Sequence, residues 1–351
     1  MRHPSKLKVA VVGLGHLGRH HARIYHEMPD VSLAAVCDID KARGETLARK
    51  YRARYVRDFH DLQGLASLAS VATPTSTHLE VASFLLQSGL HVLVEKPMAP
   101  TLKESRQLVR IASSAKRFLH VGHVERFNPV ISAMRTLHIE PKFIECHRLS
   151  PFSFRSVDIG VVMDLMIHDL DIILELADSE VERLEAVGVP VIGNLEDIAN
   201  ARITFKSGCV ANVTASRVSR ESLRRIRVFS PDSYITLDYA SREGWIYRKG
   251  PKLSRGALKF DEIDPSKIGD LKEYLFKELL SVERIAIADE EPLYKELEAF
   301  VKSVSTGENC GFTGKEALRV MELAQAVLES IRACPWYPGR HGDSPAERSS
   351  S

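Results

Sequence analysis

Short apolar runs alternate with segments of helical periodicity through the first third of the chain. The runs contain β-branched residues and are bounded by turn-forming ones, so they predict buried strands. These strands are expected at residues 9–12, 32–37, 55–56, 68–73, 91–95 and 118–122. Strands that alternate with helices at this spacing predict right-handed βαβ crossovers and an α/β fold with a doubly wound parallel sheet over residues 1–125.

Segments in which polar and apolar residues alternate dominate the chain after residue 140 and predict further strands. They are expected at residues 142–148, 181–192, 199–205, 209–216, 225–229 and 234–239, and helical patterns follow at 293–305 and 314–331. We predict a second α/β domain over residues 126–333 that includes these closing helices. Residues 334–351 contain Pro, Gly and Ser and are expected to form a disordered tail.

Composition narrows the class of protein. The 351 residues carry a formal net charge of +2 and are 44% hydrophobic, which is ordinary for a globular protein and gives no reason to expect nucleic acid or an acidic membrane as partner. The basic stretch at 217–227 favours a solvated strand edge or interface ion pairs over nucleic-acid binding.

The sparse cysteines and the absence of long apolar segments predict a cytoplasmic protein. The five cysteines are scattered without a CxxC pair, and no window reaches the roughly 18 apolar residues of a membrane span. The first eight residues lack the apolar stretch of a signal peptide. His20, His21 and His26 lack the helical spacing and carboxylate partner of a metal site, so no metal is predicted.

A glycine-rich segment, Gly13-Leu14-Gly15-His16-Leu17-Gly18, lies between the first strand and a helix. In this pattern the first glycine permits a tight turn, the second lets the backbone approach a pyrophosphate, and the third lets helix and strand pack closely. A strand–turn–helix without a ligand is the alternative. Asp38 ends the second strand 20 residues after Gly18, where a carboxylate would accept hydrogen bonds from the adenosine ribose.

The same carboxylate indicates which dinucleotide is bound. Asp38 would repel a 2′-phosphate, and Asp40 adds negative charge nearby, so NAD is the predicted cofactor. Lys41 and Arg43 follow later in the chain and could face the site, which keeps NADP open.

Ligands of open parallel sheets bind outside the carboxyl ends of the strands. Lys96 ends an apolar strand, and Pro97 biases its backbone to an extended conformation. A lysine there could donate to a substrate hydroxyl and lower its pKa; the alternative is a solvated lysine at a strand edge. Besides Asp38 and the residues of the glycine segment, the predicted cofactor contacts are Thr73, Pro74, His78, Glu95 and Lys96.

Asp164 and His168 are four residues apart in a segment that reads as helix, which would place them on one face about 6 Å apart. Asp171 lies one turn beyond His168. A histidine held by carboxylates suits general-base catalysis near neutral pH. A partly buried histidine with capping acids is the alternative.

Taken together, Gly13 to Gly18, Ala72-Thr73-Pro74, Glu95-Lys96-Pro97 and Asp164…His168 resemble the Gfo/Idh/MocA oxidoreductases over nearly all of residues 7–330. The resemblance implies a Rossmann domain followed by an α/β domain with a large, mostly antiparallel sheet whose exposed face often forms homo-oligomers. It implies that Lys96, Asp164 and His168 are catalytic, with His168 as proton acceptor. Met166 departs from the family, because many members carry Gly in D-x-G-x-H.

A narrower resemblance, to UDP-N-acetylglucosamine 3-dehydrogenases, lies in residues 121–129, 148–152 and 164–169. Asn128 is a good helix N-cap before Pro129, and the alternative to substrate binding by Arg126 is a salt bridge with Glu125 or a neighbouring loop. Arg148 and Arg155, which flank residues 150–154, could hold a diphosphate. The predicted substrate contacts are His123, Arg126, Asn128, Arg148 and Arg155.

We therefore expect an NAD-dependent dehydrogenase that oxidises a sugar-nucleotide hydroxyl. The best guess is the 3-hydroxyl of UDP-N-acetylglucosamine, on a route to lipid A. One alternative is a dehydrogenase of another polyol, such as inositol or a free hexose. The other is a dinucleotide-binding sensor without turnover, against which Lys96, Asp164 and His168 argue because a sensor needs no proton relay.

Overall fold

A computed structural model describes residues 6–137, 139–153, 159–250, 253, 274, 276, 279–335 and 337. The chain divides into two compact units, one formed by residues 1–127 and 290–322 and the other by residues 128–289 and 323–351. Apart from residues 334, 335 and 337, the predicted disordered tail lies outside the described residues. Within the described part, no helix is both long and apolar enough to cross a bilayer.

The first unit is built on a six-stranded parallel sheet with the order β3-β2-β1-β4-β5-β6. The strands are β1 (Leu7–Val12), β2 (Val31–Cys37), β3 (Arg54–Val56), β4 (Leu68–Val71), β5 (His91–Glu95) and β6 (Leu119–Gly122). The strand order reverses direction between β1 and β4, which is the switch point where a doubly wound sheet opens for a ligand. The predicted sheet is confirmed.

Four helices connect these strands: α1 (Gly18–Glu27), α2 (Lys41–Tyr51), α3 (His78–Gln87) and α4 (Leu102–Ala115). Two of them begin at a side-chain cap. The Asp40 carboxylate accepts the amide of Arg43 at 3.1 Å, and the Thr101 hydroxyl accepts the amide of Glu104 at 3.2 Å. Such caps satisfy amides that the first helical turn leaves unpaired.

The second unit contains α5 (Pro129–Arg135), α6 (Ile167–Ala177) and an eight-stranded sheet. Its strands are β7 (Phe143–Leu149), β8 (Val181–Val189), β9 (Ile198–Phe205), β10 (Val210–Ser216), β11 (Leu223–Phe229), β12 (Ser233–Asp238), β13 (Glu243–Lys249) and β14 (Leu280–Arg284). The order is β14-β13-β12-β11-β7-β10-β9-β8. β7 and β10 run parallel and the other neighbouring pairs antiparallel, which confirms a mostly antiparallel sheet.

Two long helices close the chain, α7 (Pro292–Thr306) and α8 (Gly314–Ala333). The sequence assigns both to the second domain because they follow it along the chain. In the structure α7 belongs to the first unit, where Leu297, Phe300 and Val301 pack in the same core as Val9 and Tyr25. The first unit is therefore assembled from two separate stretches of sequence.

Candidate active site

The three glycines of the turn after β1 have three different environments. Gly13 has a φ of +85°, and a Cβ on it would lie 2.6 Å from the carbonyl oxygen of Ala72. A Cβ on Gly18 would lie 1.7 Å from the carbonyl oxygen of Gly13, whereas one on Gly15 would meet no atom within 4 Å. The first and third glycines are thus required by the turn itself, and the second leaves backbone open to a ligand.

Asp38, at the end of β2, is 6% exposed and fixed by the backbone. Its Oδ2 accepts the amide of Leu14 at 2.7 Å, and its Oδ1 accepts the amide of Asp40 at 2.8 Å. Hydrogen bonds of this kind hold the carboxylate in one orientation beside the glycine turn. A carboxylate held there suits the ribose hydroxyls of a dinucleotide.

Arg43 faces this carboxylate, a position that the sequence leaves open. Its Nη1 lies 3.4 Å from Oδ2 of Asp38, and its Nη2 lies 3.2 Å from Oδ2 of Asp40. The site therefore carries both a carboxylate that can bind ribose hydroxyls and an arginine beside it. The other two predicted contacts in the turn, His16 and Leu17, are exposed.

His78 connects the ends of two strands. It is 1% exposed, with Nε2 2.9 Å from the carbonyl oxygen of Thr73 and Nδ1 3.0 Å from that of Pro97. Burial lowers the pKa of His78, and the two carbonyl oxygens partly oppose this. The imidazole therefore holds together the loops after β4 and β5, and its contact with a cofactor stays a prediction.

The Glu95 side chain has a structural partner inside the first unit. Its carboxylate is turned into the unit, where Oε1 lies 2.8 Å from Nε2 of the fully buried His21 on α1. A side chain engaged in this way supports the end of β5, and the contact of Glu95 with a cofactor stays a prediction. Lys96 follows directly and is partly buried, and the Lys96–Pro97 peptide bond is cis.

Arg126 forms the salt bridge that the sequence offers as the alternative to substrate binding, although with a different acid. Its Nη1 lies 2.9 Å from Oε1 of Glu316, and its guanidinium lies 4.3 Å from the ring centre of Phe312. His123 is 2% exposed and packs against the same ring, with 4.7 Å between centroids. Both residues thus help to attach the start of α8 to the end of β6.

In the second unit, Asp164 and His168 lie in consecutive turns of different type. Asp164 belongs to a π-helical turn, Val162–Met166, and His168 to the first turn of α6. The amide of Ile167 donates to the carbonyl of Val162, five residues earlier. A regular helix over both residues is therefore wrong, and such wide turns are frequent at functional sites. Both side chains are partly exposed.

A buried ion pair holds α6 in the second unit, and a side-chain cap begins α5. Arg148 is 3% exposed, and its Nε and Nη2 lie 2.8 and 2.9 Å from the two carboxylate oxygens of Asp169, the neighbour of His168. Arg148 thus holds α6 through Asp169, and its contact with a diphosphate stays a prediction. Asn128 caps α5 as predicted, accepting the amide of Val130 at 3.1 Å. Arg155 lies outside the described residues.

Sequence reasoning misses two buried acids, one in each unit. Glu196 accepts the amide of Val162 at 3.3 Å, at the start of the π-helical turn. Glu296, on α7, is 2% exposed inside the first unit. Neither lies in a motif, and a lone glutamate in a helical or loop pattern carries no signal of burial. Within the described ranges, no three His, Cys, Asp or Glu side chains are placed to hold a metal ion.

The switch point, the glycine turn and Asp38 define a dinucleotide-binding unit of the Rossmann class. Comparison with known proteins agrees. Residues 7–123 match the family described as an oxidoreductase family with an NAD-binding Rossmann fold, and residues 141–234 match the GFO/IDH/MocA C-terminal domain. The chain belongs to the Gfo/Idh/MocA family of oxidoreductases, which confirms the predicted family and its NAD-binding character.

Individual relatives span almost the whole chain. A UDP-N-acetylglucosamine 3-dehydrogenase from Acidithiobacillus ferrooxidans is 34% identical over 328 residues, covering 93% of this chain and 98% of the relative. A solved structure of that name from the same species superposes with a TM-score of 0.81 at 33% identity, over 93% of this chain and 98% of the other. The myo-inositol 2-dehydrogenase of Thermotoga maritima is 24% identical over 344 residues, covering 93% and 96%.

Proposed function

We propose that this protein is an NAD-dependent dehydrogenase that oxidises the 3-hydroxyl of UDP-N-acetylglucosamine to the 3-keto sugar nucleotide. The observation that carries the proposal is its similarity, 34% identity over 93% of the chain, to an enzyme of that name. Membership of an oxidoreductase family favours this over a dinucleotide sensor without turnover.

The residues of the first unit fit the cofactor. The open backbone at Gly15 and the N-terminus of α1 suit the pyrophosphate, because unpaired amides and the helix dipole favour an anion there. Asp38 suits the ribose hydroxyls. NAD, when bound, supplies the hydride acceptor for the reaction.

Three side chains handle the substrate proton. Lys96, an ammonium at the carboxyl end of β5, donates a hydrogen bond to the hydroxyl oxygen and favours loss of its proton. His168, in its neutral form, accepts that proton as general base, and Asp164 orients the imidazole and stabilises its charged form. These roles come from the family resemblance.

Substrate recognition falls to fewer residues than the sequence predicts. Of the two arginines predicted for the diphosphate, Arg148 is paired with Asp169, which favours Arg155. Arg126, predicted as a substrate contact, is paired with Glu316. His123 and Asn128 contribute indirectly. His123 packs against the ring of Phe312, and Asn128 caps α5.

The chemistry of the product also indicates a pathway for the reaction. A 3-keto sugar nucleotide is suited to amination, so we assign the reaction to the cytoplasmic supply of a 3-amino sugar nucleotide for lipid A. The five cysteines, all free thiols, fit a reducing compartment. We further assign a homo-oligomer to the protein, formed through the open face of the eight-stranded sheet.

NADH formation, followed by absorbance, tests the activity. UDP-N-acetylglucosamine, free hexoses and inositols are offered with NAD and with NADP, and the sugar nucleotide with NAD should give the highest kcat/KM. His168→Ala should remove turnover, by 100-fold or more (on the order of 10²–10⁴ for a general base), while NAD binding measured by titration stays nearly intact.

Other results would overturn parts of the proposal. A preference for an inositol, which the 24% identical inositol dehydrogenase makes the second candidate, would replace the substrate. NAD binding without turnover of any compound would favour the sensor. Retained turnover in His168→Ala would remove that residue from its role.

A further inference from the structure

Three ionisable side chains lie in the interior of the first unit: His21 on α1, Glu95 at the end of β5 and Glu296 on α7, which is near enough to Glu95 for their charges to interact. We call them the inner cluster. His21 is completely buried, and its Nε2 lies 2.8 Å from Oε1 of Glu95. Gly122 on β6 leaves room for this contact, because a Cβ there would lie 2.8 Å from Oε2 of Glu95.

Glu296 is the member of the cluster without a visible partner. It is 2% exposed, and neither of its carboxylate oxygens has a hydrogen-bond partner among the described residues. An ionised carboxylate in such surroundings would lose its hydration without gaining a counter-charge, which strongly favours the neutral acid.

The groups around Glu296 also favour its neutral form. Burial, followed by the negative charge of Glu95, raises the pKa of Glu296 well above its usual value. The nearby amide of His123, which is not in hydrogen-bond geometry with the carboxylate, only partly opposes this. On α1, burial raises the pKa of Tyr25, whose hydroxyl lies 2.8 Å from that of Ser70, and both glutamates add to the shift. His21 is committed to Glu95.

We propose that Glu296 keeps its proton at neutral pH and acts as a positioning residue for Lys96. As a neutral acid it leaves Glu95 free to hold His21, and that contact fixes the strand end from which Lys96 follows directly. The inference rests on the proposed role of Lys96.

The physical reason is repulsion. Two carboxylates in one buried cluster cannot both ionise without strong mutual repulsion at low dielectric. A charged Glu296 would push Glu95 away from His21. Because His21 lies three residues after Gly18 on α1, the same contact also connects the glycine turn to the strand end that carries Lys96.

Three variants of the full-length protein test the proposal. Glu296→Gln is an uncharged mimic of the protonated acid, and Glu296→Ala removes the group. Glu298→Gln is the control, because Glu298 is an exposed glutamate on the same helix whose Oε2 lies 3.2 Å from Nζ of Lys295. At neutral pH, infrared spectra should show the carbonyl band of a protonated carboxylic acid in the wild type and in Glu298→Gln, and should lack it in Glu296→Gln.

Stability against pH gives a second measurement. The pKa of Glu296 is higher in the folded than in the unfolded protein, so its contribution to stability is complete below the unfolded pKa, near 4.5, and is lost as pH rises toward the folded value. Each pH unit in that window raises the unfolding constant by up to about tenfold. Glu296→Gln lacks this loss, so it should gain stability relative to wild type as pH rises, and Glu298→Gln should not.

Positioning is measured separately. Glu296→Ala introduces no charge, but it leaves a cavity in the inner cluster that lets the Glu95 carboxylate shift from His21. It should therefore lower kcat by about tenfold or more through misplacement of Lys96, and should weaken NADH binding severalfold in a fluorescence titration. Glu296→Gln should restore most of both. The proton assignment would be overturned if Glu296→Gln kept the carbonyl band of the wild type, or if the stabilities of the two proteins changed with pH in parallel. Normal NADH binding in Glu296→Ala would overturn the positioning role. The infrared band, the pH dependence of stability and NADH binding need no turnover, so only the kcat comparison depends on the proposed substrate.

Discussion

An added methyl group would have a different effect at each glycine of the turn after β1. An added Cβ at Gly18 would strike the carbonyl oxygen of Gly13 at 1.7 Å, while one at Gly15 would project into open space. Replacement of either glycine by alanine restricts the unfolded chain to the same extent. A comparison of the two variants therefore distinguishes a glycine required for folding from one required for ligand binding.

We expect Gly18→Ala and Gly15→Ala to fail in different ways. Gly18→Ala should destabilise the protein by roughly 1–3 kcal/mol through overpacking against the turn. Gly15→Ala should change stability by less than about 0.5 kcal/mol, yet weaken NAD binding because its methyl group occupies the approach to the pyrophosphate. Chemical denaturation and NAD titration of the two variants provide the check. Equal loss of stability in both would contradict the distinction.

At the residue scale, the sequence identifies the turn and Asp38 because their chemistry is local. It does not reveal the direction of Glu95. Val92, Leu93 and Val94 are all buried, since both faces of a doubly wound sheet are covered. A period of two therefore carries no information about which side a strand-end residue faces. The partner of Glu95, His21, is 74 positions away in the chain.

At the scale of elements, the strands of the first unit are predicted almost completely, and those of the second less well. β13 is missed because it has charged residues at both ends, and β14 because it is five residues long with two apolar residues to set a pattern. The π-helical turn at Val162–Met166 is also beyond sequence reasoning, because one extra residue in a turn leaves the apolar pattern nearly unchanged. It alters the spacing of Asp164 and His168 all the same.

The buried pair Arg148–Asp169 joins β7 to α6, and we expect it to behave as a unit. Arg148→Ala should cost roughly 3–5 kcal/mol, because it leaves the Asp169 carboxylate buried without a partner. The double variant Arg148→Met/Asp169→Leu should regain most of that stability, since no charge is left to desolvate. Denaturation midpoints of the single and double variants measure the coupling. Additive losses would show that the two side chains act independently.

At the scale of the whole molecule, the eight-stranded sheet has one face that α6 does not cover. Aromatic rings form a row across four strands there: Phe143, Phe229, Tyr234 and Tyr247 lie 4.7–5.6 Å apart in successive pairs. Strand register places Val187 and Val189 of β8, 40% and 38% exposed, on the same face. A broad face of this composition is suited to self-association.

Charges placed on that face should shift the protein toward monomers. Val187→Glu/Val189→Glu puts two carboxylates where exposed valines stand, so repulsion and desolvation oppose contact with a second copy. Sedimentation equilibrium at several concentrations measures the change, with the exposed Lys302→Glu on α7 as control. A wild type that is monomeric at all concentrations, or a variant with unchanged mass, would remove this face as the interface.

The place of α7 in the first core has a consequence for the order of folding. The ribosome completes β1 to β6 and then the whole of residues 128–289 before Leu297, Phe300 and Val301 exist. Until those side chains arrive, the apolar surface around Val9 and Tyr25 remains uncovered and open to wrong contacts. The part of the protein that is synthesised first is therefore among the last to reach its final structure, and a nascent chain halted near residue 280 already contains the glycine turn without the helix that stabilises it.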